Sequence, residues 1–269
     1  MDNLGLYIIV DYMPSDLEIL NEAARLLERR TSLALCTVVE KKGSGPRDAG
    51  AKMIVSGEGK TYGTIGGGNV EHALIDECLK AIKERKSRKV TFNLSKSQKA
   101  GTVGTGMICG GELTVLVDVI EPAPRLVLVG AGHVALPLAK LASIVGFRIV
   151  IVDDEHELAK KEQFPMAENI IAGDYAQVLE TFEVSSKDFI VIAHGEPEHD
   201  YTALKSVIEK NTAYVGLLGS RTKAKILTER LRSEGVNEAH VKALHAPLGL
   251  DIGAETPEEI GISILAEII

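Results

Sequence analysis

The spacing of apolar residues divides this chain into elements of two kinds. Pro14 to Arg30 places its apolar residues at helical spacing, and Ser15 with Glu18 three residues later forms a capping-box signature. Leu33 to Val39 is a run of β type, and Lys42 to Arg47 (KGSGPR) is a turn or loop. Ala51 to Ser56 and Lys60 to Ile65 read as paired strands around Gly57-Glu58-Gly59. A glycine turn, Gly66-Gly67-Gly68, feeds a helix from Val70 to about Arg85. Lys89 to Leu94 and Glu112 to Ile120 are further strands, separated by a glycine-rich stretch from Gly101 to Gly111.

From Arg125 the pattern changes. Leu126 to Val129 is an unbroken apolar run that meets Gly130-Ala131-Gly132-His133-Val134-Ala135, a G-x-G-x-x-A turn. Val134, Leu138, Leu141, Ala142 and Val145 then recur at helical spacing, with Gly146 as a stop. Phe147 to Val152 is a second apolar run, ending in Asp153 and Asp154. Strand, glycine turn, helix, strand and acid together form the context that a bare glycine pattern lacks. The alternation continues with strands at 169–172, 188–193 and 213–218, and helices near 200–210 and 220–234. Thr256 caps a last helix, with Pro257 in its first position. The predicted fold is α/β: a C-terminal Rossmann-like, doubly wound parallel sheet and an N-terminal mixed α+β domain. Glu121-Pro122-Ala123-Pro124 is the linker candidate, because proline removes backbone donors and favours extended chain. The cut falls between domains 1–121 and 122–269.

Composition narrows the function classes. With 269 residues, 25% of them charged and 45% hydrophobic, the chain has an ordinary soluble balance. A net charge of -8 argues against a nucleic-acid protein, since only Lys83 to Lys89 is densely basic. No apolar segment is long enough for a transmembrane helix, and the N-terminus does not read as a secretory signal. The expectation is a cytoplasmic protein with no membrane or nucleic-acid partner. Cys36, Cys78 and Cys109 have neither metal-like spacing nor a disulfide framework.

Five clusters carry candidate chemistry. In the G-x-G-x-x-A turn, Gly130 permits the tight bend and Gly132 permits close approach of a phosphate. The helix N-terminus offers N–H groups to an anion, and His133 sits in the turn itself. Asp153 occupies the place where a carboxylate accepts ribose hydroxyls, which favours NAD or another dinucleotide with a free 2′-hydroxyl. Ser44 and Arg47, in Gly43-Ser44-Gly45-Pro46-Arg47, suit an oxyanion or phosphate cradle, and equally a polar hairpin loop. Gly66, Gly67 and Gly68 imply either a ligand phosphate at a helix N-terminus or tight packing. Cys109, beside Gly110 and Gly111, is either an accessible thiol or a buried one. The fifth cluster is split among strand ends: His194 and His199-Asp200, Gly219-Ser220-Arg221, and His245 with the segment after it. Arg221 at a helix start suits an anionic ligand. The histidine spacing matches no standard zinc motif, so no metal is assigned.

In chain order, GSGPRDAGAKM, GTIGGGNVE, CGGELTV, LVGAGHVALPLAKLA, VDD, HDYTAL, YVGLLGSRTKAK and HAPLGLDIGAETPEEI resemble the XdhC/CoxI family, from about residue 33 to the C-terminus. YVGLLGSR and the HAPLGLDIGAETPEEI segment are the specific ones. The resemblance implies an accessory maturation factor for xanthine dehydrogenase or carbon monoxide dehydrogenase. Such proteins bind molybdenum cofactor (molybdopterin), protect it while its terminal sulfur is installed, and deliver it to an apo-enzyme. They act as chaperones, not as catalysts of turnover. A molybdenum hydroxylase apo-enzyme and a cysteine desulfurase are the implied partners. The implied cofactor-handling residues are Ser44, Arg47, Gly66, Gly67, Gly68, Cys109, Gly130, Gly132, His133 and Asp153. Two positions depart from the family pattern. Asn69 stands where many relatives carry cysteine, and Ala193-His194-Gly195-Glu196 replaces a paired-histidine arrangement. An NAD-dependent oxidoreductase and a nucleotide-sensing module are the competing readings. For the first, Tyr201 and Lys205 stand at Tyr-x-x-x-Lys spacing, but no further hydride-transfer constellation accompanies them.

Overall fold

The computed structural model describes residues 13–94, 101–105 and 110–269. The chain divides into two compact units, Met1–Pro122 and Ala123–Ile269.

The first unit is a mixed sheet between helices. Its elements are α1 (Asp16–Glu28), β1 (Leu33–Lys42), β2 (Lys52–Ser56), β3 (Thr61–Gly63), α2 (Asn69–Glu84), β4 (Arg88–Asn93), β5 (Val103–Gly104) and β6 (Glu112–Ile120). The strands lie in the order β3-β2-β1-β6-β4-β5, with only the short β4–β5 pair parallel. Side chains alternate across a strand, so each face takes every second residue. Ala34, Cys36, Val38, Met53 and Val55 face Val70, Leu74, Cys78 and Ala81 of α2. Leu33 and Ile54, on the other face, pack with Ile19 and Ala23 of α1. The Ser15–Glu18 capping box forms as the sequence predicts.

The second unit is a five-stranded parallel sheet in the order β11-β10-β7-β8-β9. The strands are β7 (Arg125–Val129), β8 (Arg148–Asp153), β9 (Ala167–Ala172), β10 (Asp188–Ile192) and β11 (Tyr214–Leu217). The helices are α3 (Ala135–Ile144), α4 (Tyr175–Thr181), α5 (Pro197–Val207), α6 (Arg221–Ser233), α7 (Glu238–Ala243) and α8 (Pro257–Ile268). Leu126 and Leu128 bury into a core with α3 and α8, whereas Val127 and Val129 bury into one with α4, α5 and α6. Burial on both faces is why these strands read as unbroken apolar runs. The order reverses between β7 and β10, which places the ligand crevice of such a sheet at the C-terminal ends of these strands. This is the doubly wound sheet expected from the sequence. Helices α4 and α7 here, and β5 in the first unit, are elements the sequence pattern does not predict, and α5 begins three residues earlier than predicted.

Candidate functional site

In the first unit, three clusters that the sequence presents separately come together. A Cβ on Gly111 would lie 2.2 Å from the carbonyl oxygen of Ser44 and 2.6 Å from that of Lys42. A Cβ on Gly66 would lie 2.3 Å from the Pro46 ring. The 43–47 loop therefore lies against both the triple-glycine turn and the segment entering β6. Gly66, Gly67 and Gly68 have φ of 130°, 77° and 65°, values that a side chain disfavours. The Glu71 carboxylate holds the turn from inside. It accepts from the Thr64 hydroxyl at 2.6 Å and from the N–H groups of Ile65 and Gly67 at 3.0 and 2.8 Å. Arg47, Tyr62, Thr64, Gly66 and Gly67 line a cleft of about 520 Å³, and Ser44 is exposed nearby. Asn69 donates its amide to the Thr105 carbonyl at 3.1 Å. Cys109 lies outside the described residues. Cys36 and Cys78 are buried with their sulfurs 3.2 Å apart, and that contact and burial push the Cys36 thiol far up.

In the second unit, Gly130 and Gly132 serve different ends. Gly130 has φ of 102°, and a Cβ there would lie 2.5 Å from the backbone nitrogen of His194. Gly132 has no such constraint: its nearest neighbour, the Ala193 carbonyl oxygen, would be 4.0 Å from a Cβ. Among the described residues, the N–H groups of Gly132, His133 and Val134 form no hydrogen bond. Unpaired donors at a helix start suit an anion. Asp153 departs from its expected role. It is 1% exposed, and its oxygens accept from the N–H groups of Ala131 and Glu155. Its carboxylate shapes the turn and is not free for a ribose.

The strand-end residues sort into separate structures. Asp200 is buried and pairs with Lys223, while accepting from the N–H of His194 at 3.1 Å. Lys223 also reaches the carbonyls of Gly195 and Leu218. A buried pair thus sets the loop that carries His194. The His194 ring is 4.5 Å from that of His199 and stacks on it, next to Asp154. Tyr175 meets both rings edge-on, and burial, reinforced by the Asp153 and Asp154 charges, pushes its phenol far up. Arg221 begins α6, almost fully exposed, with Asp251 at a loose 3.7 Å. His245 belongs to the sheet instead. Glu267 of α8 binds its ring, the Tyr214 hydroxyl and the Gly249 N–H, so the segment after His245 is pinned to β11.

Sequence reasoning missed Asp154, Glu71, and the pairing of Asp200 with Lys223. Only Glu71 had a local signal, as an acid in the first turn of a helix after a glycine turn.

Comparison with known sequences settles the family. Residues 126–268 match the XdhC Rossmann domain, and residues 26–93 match the XdhC and CoxI family. The chain belongs to this family. An uncharacterized protein of Escherichia coli, YqeB, is 39% identical over 254 residues. That alignment covers 94% of this chain and 46% of YqeB, so the chain spans about half the length of that relative. The E. coli molybdenum cofactor insertion chaperone PaoD is 21% identical, over 93% of this chain and 86% of its own. The crystal structure of a Bacillus halodurans protein described as a xanthine dehydrogenase is 25% identical. It superposes with a TM-score of 0.51, covering 95% of both chains. No helix among the described residues is long and apolar enough to cross a membrane.

Proposed function

We propose that this chain is an accessory protein of a xanthine dehydrogenase-type molybdenum hydroxylase, which holds molybdenum cofactor and passes it to the apo-enzyme. The observation that carries this reading is the open turn at Gly132, in a chain of the XdhC family. Molybdopterin bears a phosphate. The unpaired N–H groups of Gly132, His133 and Val134 are donors for such a group, at the crevice end of a parallel sheet. The likeness to a protein named for cofactor insertion supports the same role. In the first unit, Arg47, Gly66 and Gly67 line a cleft, Ser44 and Gly68 are the neighbouring candidates, and Cys109 is the soft ligand proposed for the molybdenum or dithiolene side. A cysteine desulfurase that installs the terminal sulfur completes the proposed set of partners. The role is cofactor transfer, with no turnover chemistry assigned to the chain and with the cytoplasm as its compartment. The nicotinamide alternative is the weaker reading: Tyr201 is buried in the core, Lys205 pairs with Glu234, and the Asp153 carboxylate already accepts from two backbone amides.

The test is transfer of molybdenum cofactor from the purified full chain to a hydroxylase apo-enzyme. Gly132→Asp puts a negative side chain into open space, so it folds normally and loses cofactor retention. Cys109→Ser lowers transfer, whereas Cys36→Ser lowers stability by exchanging a buried thiol contact for a hydroxyl. Full transfer by both Gly132→Asp and Cys109→Ser would overturn the assignment.

A further inference from the structure

Asp154, His194 and His199 come from three segments: the residue after β8, the second residue after β10, and the first turn of α5. One ligand atom from each lies within 4.8 Å of the other two. Nδ1 of His199 is 2.8 Å from Oδ2 of Asp154, and Nε2 of His194 is 3.4 Å from Oδ1. These spacings fit a small divalent cation, whose nitrogen and oxygen ligands sit at roughly 2.0–2.2 Å. A second observation is independent of the spacing. Oδ1 of Asp154 and Nδ1 of His199 are buried, yet neither has a hydrogen-bond partner among the described residues. Buried polar atoms are ordinarily paired, because an unpaired one gives up its hydration with nothing in exchange. Here Oδ1 lies beside the His194 imidazole, and Nδ1 of His199 lies beside the other oxygen of the same carboxylate.

We propose that Asp154, His194 and His199 bind a divalent first-row transition-metal cation. Two imidazoles and one carboxylate suit zinc or iron(II), whereas magnesium and calcium take oxygen ligands. The surroundings favour fixed ligands: the two rings are stacked at an interplanar angle of 22°, and Tyr175 closes on both from the side. Three protein ligands leave at least one position open to an outside group. The backbone of His194 packs on Gly130, so the cluster adjoins the glycine turn. A cation there adds positive charge next to the open N–H groups and takes a phosphate oxygen as its exchangeable ligand. The sequence pattern hides the site because its ligands join only when β8 and β10 flank β7.

Cation binding stands apart from cofactor delivery, because it is measured with no pterin present. Untagged full-length protein, stripped with chelator, is titrated with zinc chloride by calorimetry. One zinc per chain is expected. His199→Ala, at a half-exposed position in the first turn of a helix, retains the wild-type melting temperature. It loses about 100-fold or more in affinity, beyond the roughly 10–100-fold effect of an outer-shell change. Asp154→Asn behaves likewise. Cobalt(II) gives a visible d–d spectrum without the near-ultraviolet band of thiolate ligands. Unchanged zinc affinity in a folded His199→Ala variant, no binding by the wild type, or a thiolate band would overturn the proposal.

Discussion

The two units each contain a glycine turn that feeds a helix, and the two turns exist for different physical reasons. In the first unit the turn is closed from within. Gly66 is required by the Pro46 ring, Gly67 and Gly68 by left-handed backbone, and the donors at Ile65 and Gly67 are taken by Glu71. A carboxylate of the chain itself fills part of the place that an outside anion would take. In the second unit the division is sharper. Gly130 is needed by the fold, because the His194 backbone sits on it. Gly132 is needed by nothing in the described fold, and the N–H groups around it stay open. A run of glycines before a helix thus reports a tight backbone. Only the surroundings show which glycine leaves room for a ligand.

The largest expected effect comes from the residue that holds the second turn from behind. Asp200→Ala leaves the largely buried Lys223 ammonium without a counter-charge, and releases the N–H groups of His194 and Gly195. Breaking a buried pair on one side costs about 3–5 kcal/mol. Urea denaturation followed by the fluorescence of tyrosines in the second unit should show this loss. A loss below about 1 kcal/mol would mean that the pair does not set the loop.

Next comes Gly130→Ala, which adds positive-φ strain to a contact of 2.5 Å with backbone. Together these destabilise by about 2–4 kcal/mol. In the first unit, Glu71→Ala strips the partner from the Thr64 hydroxyl and from two N–H groups. Loss of hydrogen bonds to a charged group costs about 1.5–3 kcal/mol. Hydrogen exchange should show faster exchange at Ile65 and Gly67, with the amides of β8 unchanged. If Glu71→Ala were neutral while these amides stayed protected, the internal-carboxylate account of the first turn would fail.

The parallel sheet was legible in the sequence because strands buried on both faces give apolar runs, as in Leu126 to Val129 and Ile149 to Val152. Helix α4 was not legible: it has seven residues and buries only Tyr175 and Leu179, too few for a helical period. The same holds for α7, where Val241 alone is buried. At the site, the glycine turn could be read because its chemistry is local. The pairing of Asp200 with Lys223 could not, because a buried acid in a helix looks like a surface acid until its partner, 23 residues on, is placed. Asp153 misled for a related reason. Its position after β8 is right for a ribose, but the tight turn at Gly130 brings the Ala131 N–H onto its carboxylate first. The next residue, Asp154, is the one that meets the histidines.

The smallest effect on stability, and the sharpest test of the comparison, is Gly132→Ala. The position is not left-handed, and a Cβ there meets only the Ala193 carbonyl oxygen at 4.0 Å. Where backbone and space allow it, alanine for glycine stabilises by about 0.4–1 kcal/mol through the unfolded chain. The melting temperature should therefore hold or rise slightly, in contrast to Gly130→Ala two residues away. Ligand binding should move the other way. A methyl group at the turn pushes a phosphate off the N–H groups of Gly132, His133 and Val134. Retention of molybdenum cofactor through gel filtration should then fall while the fold is unharmed. Parallel losses in stability and retention would show that Gly132 is an architectural glycine like Gly130. Neither loss would move the phosphate site away from this turn and toward the cleft beside Arg47.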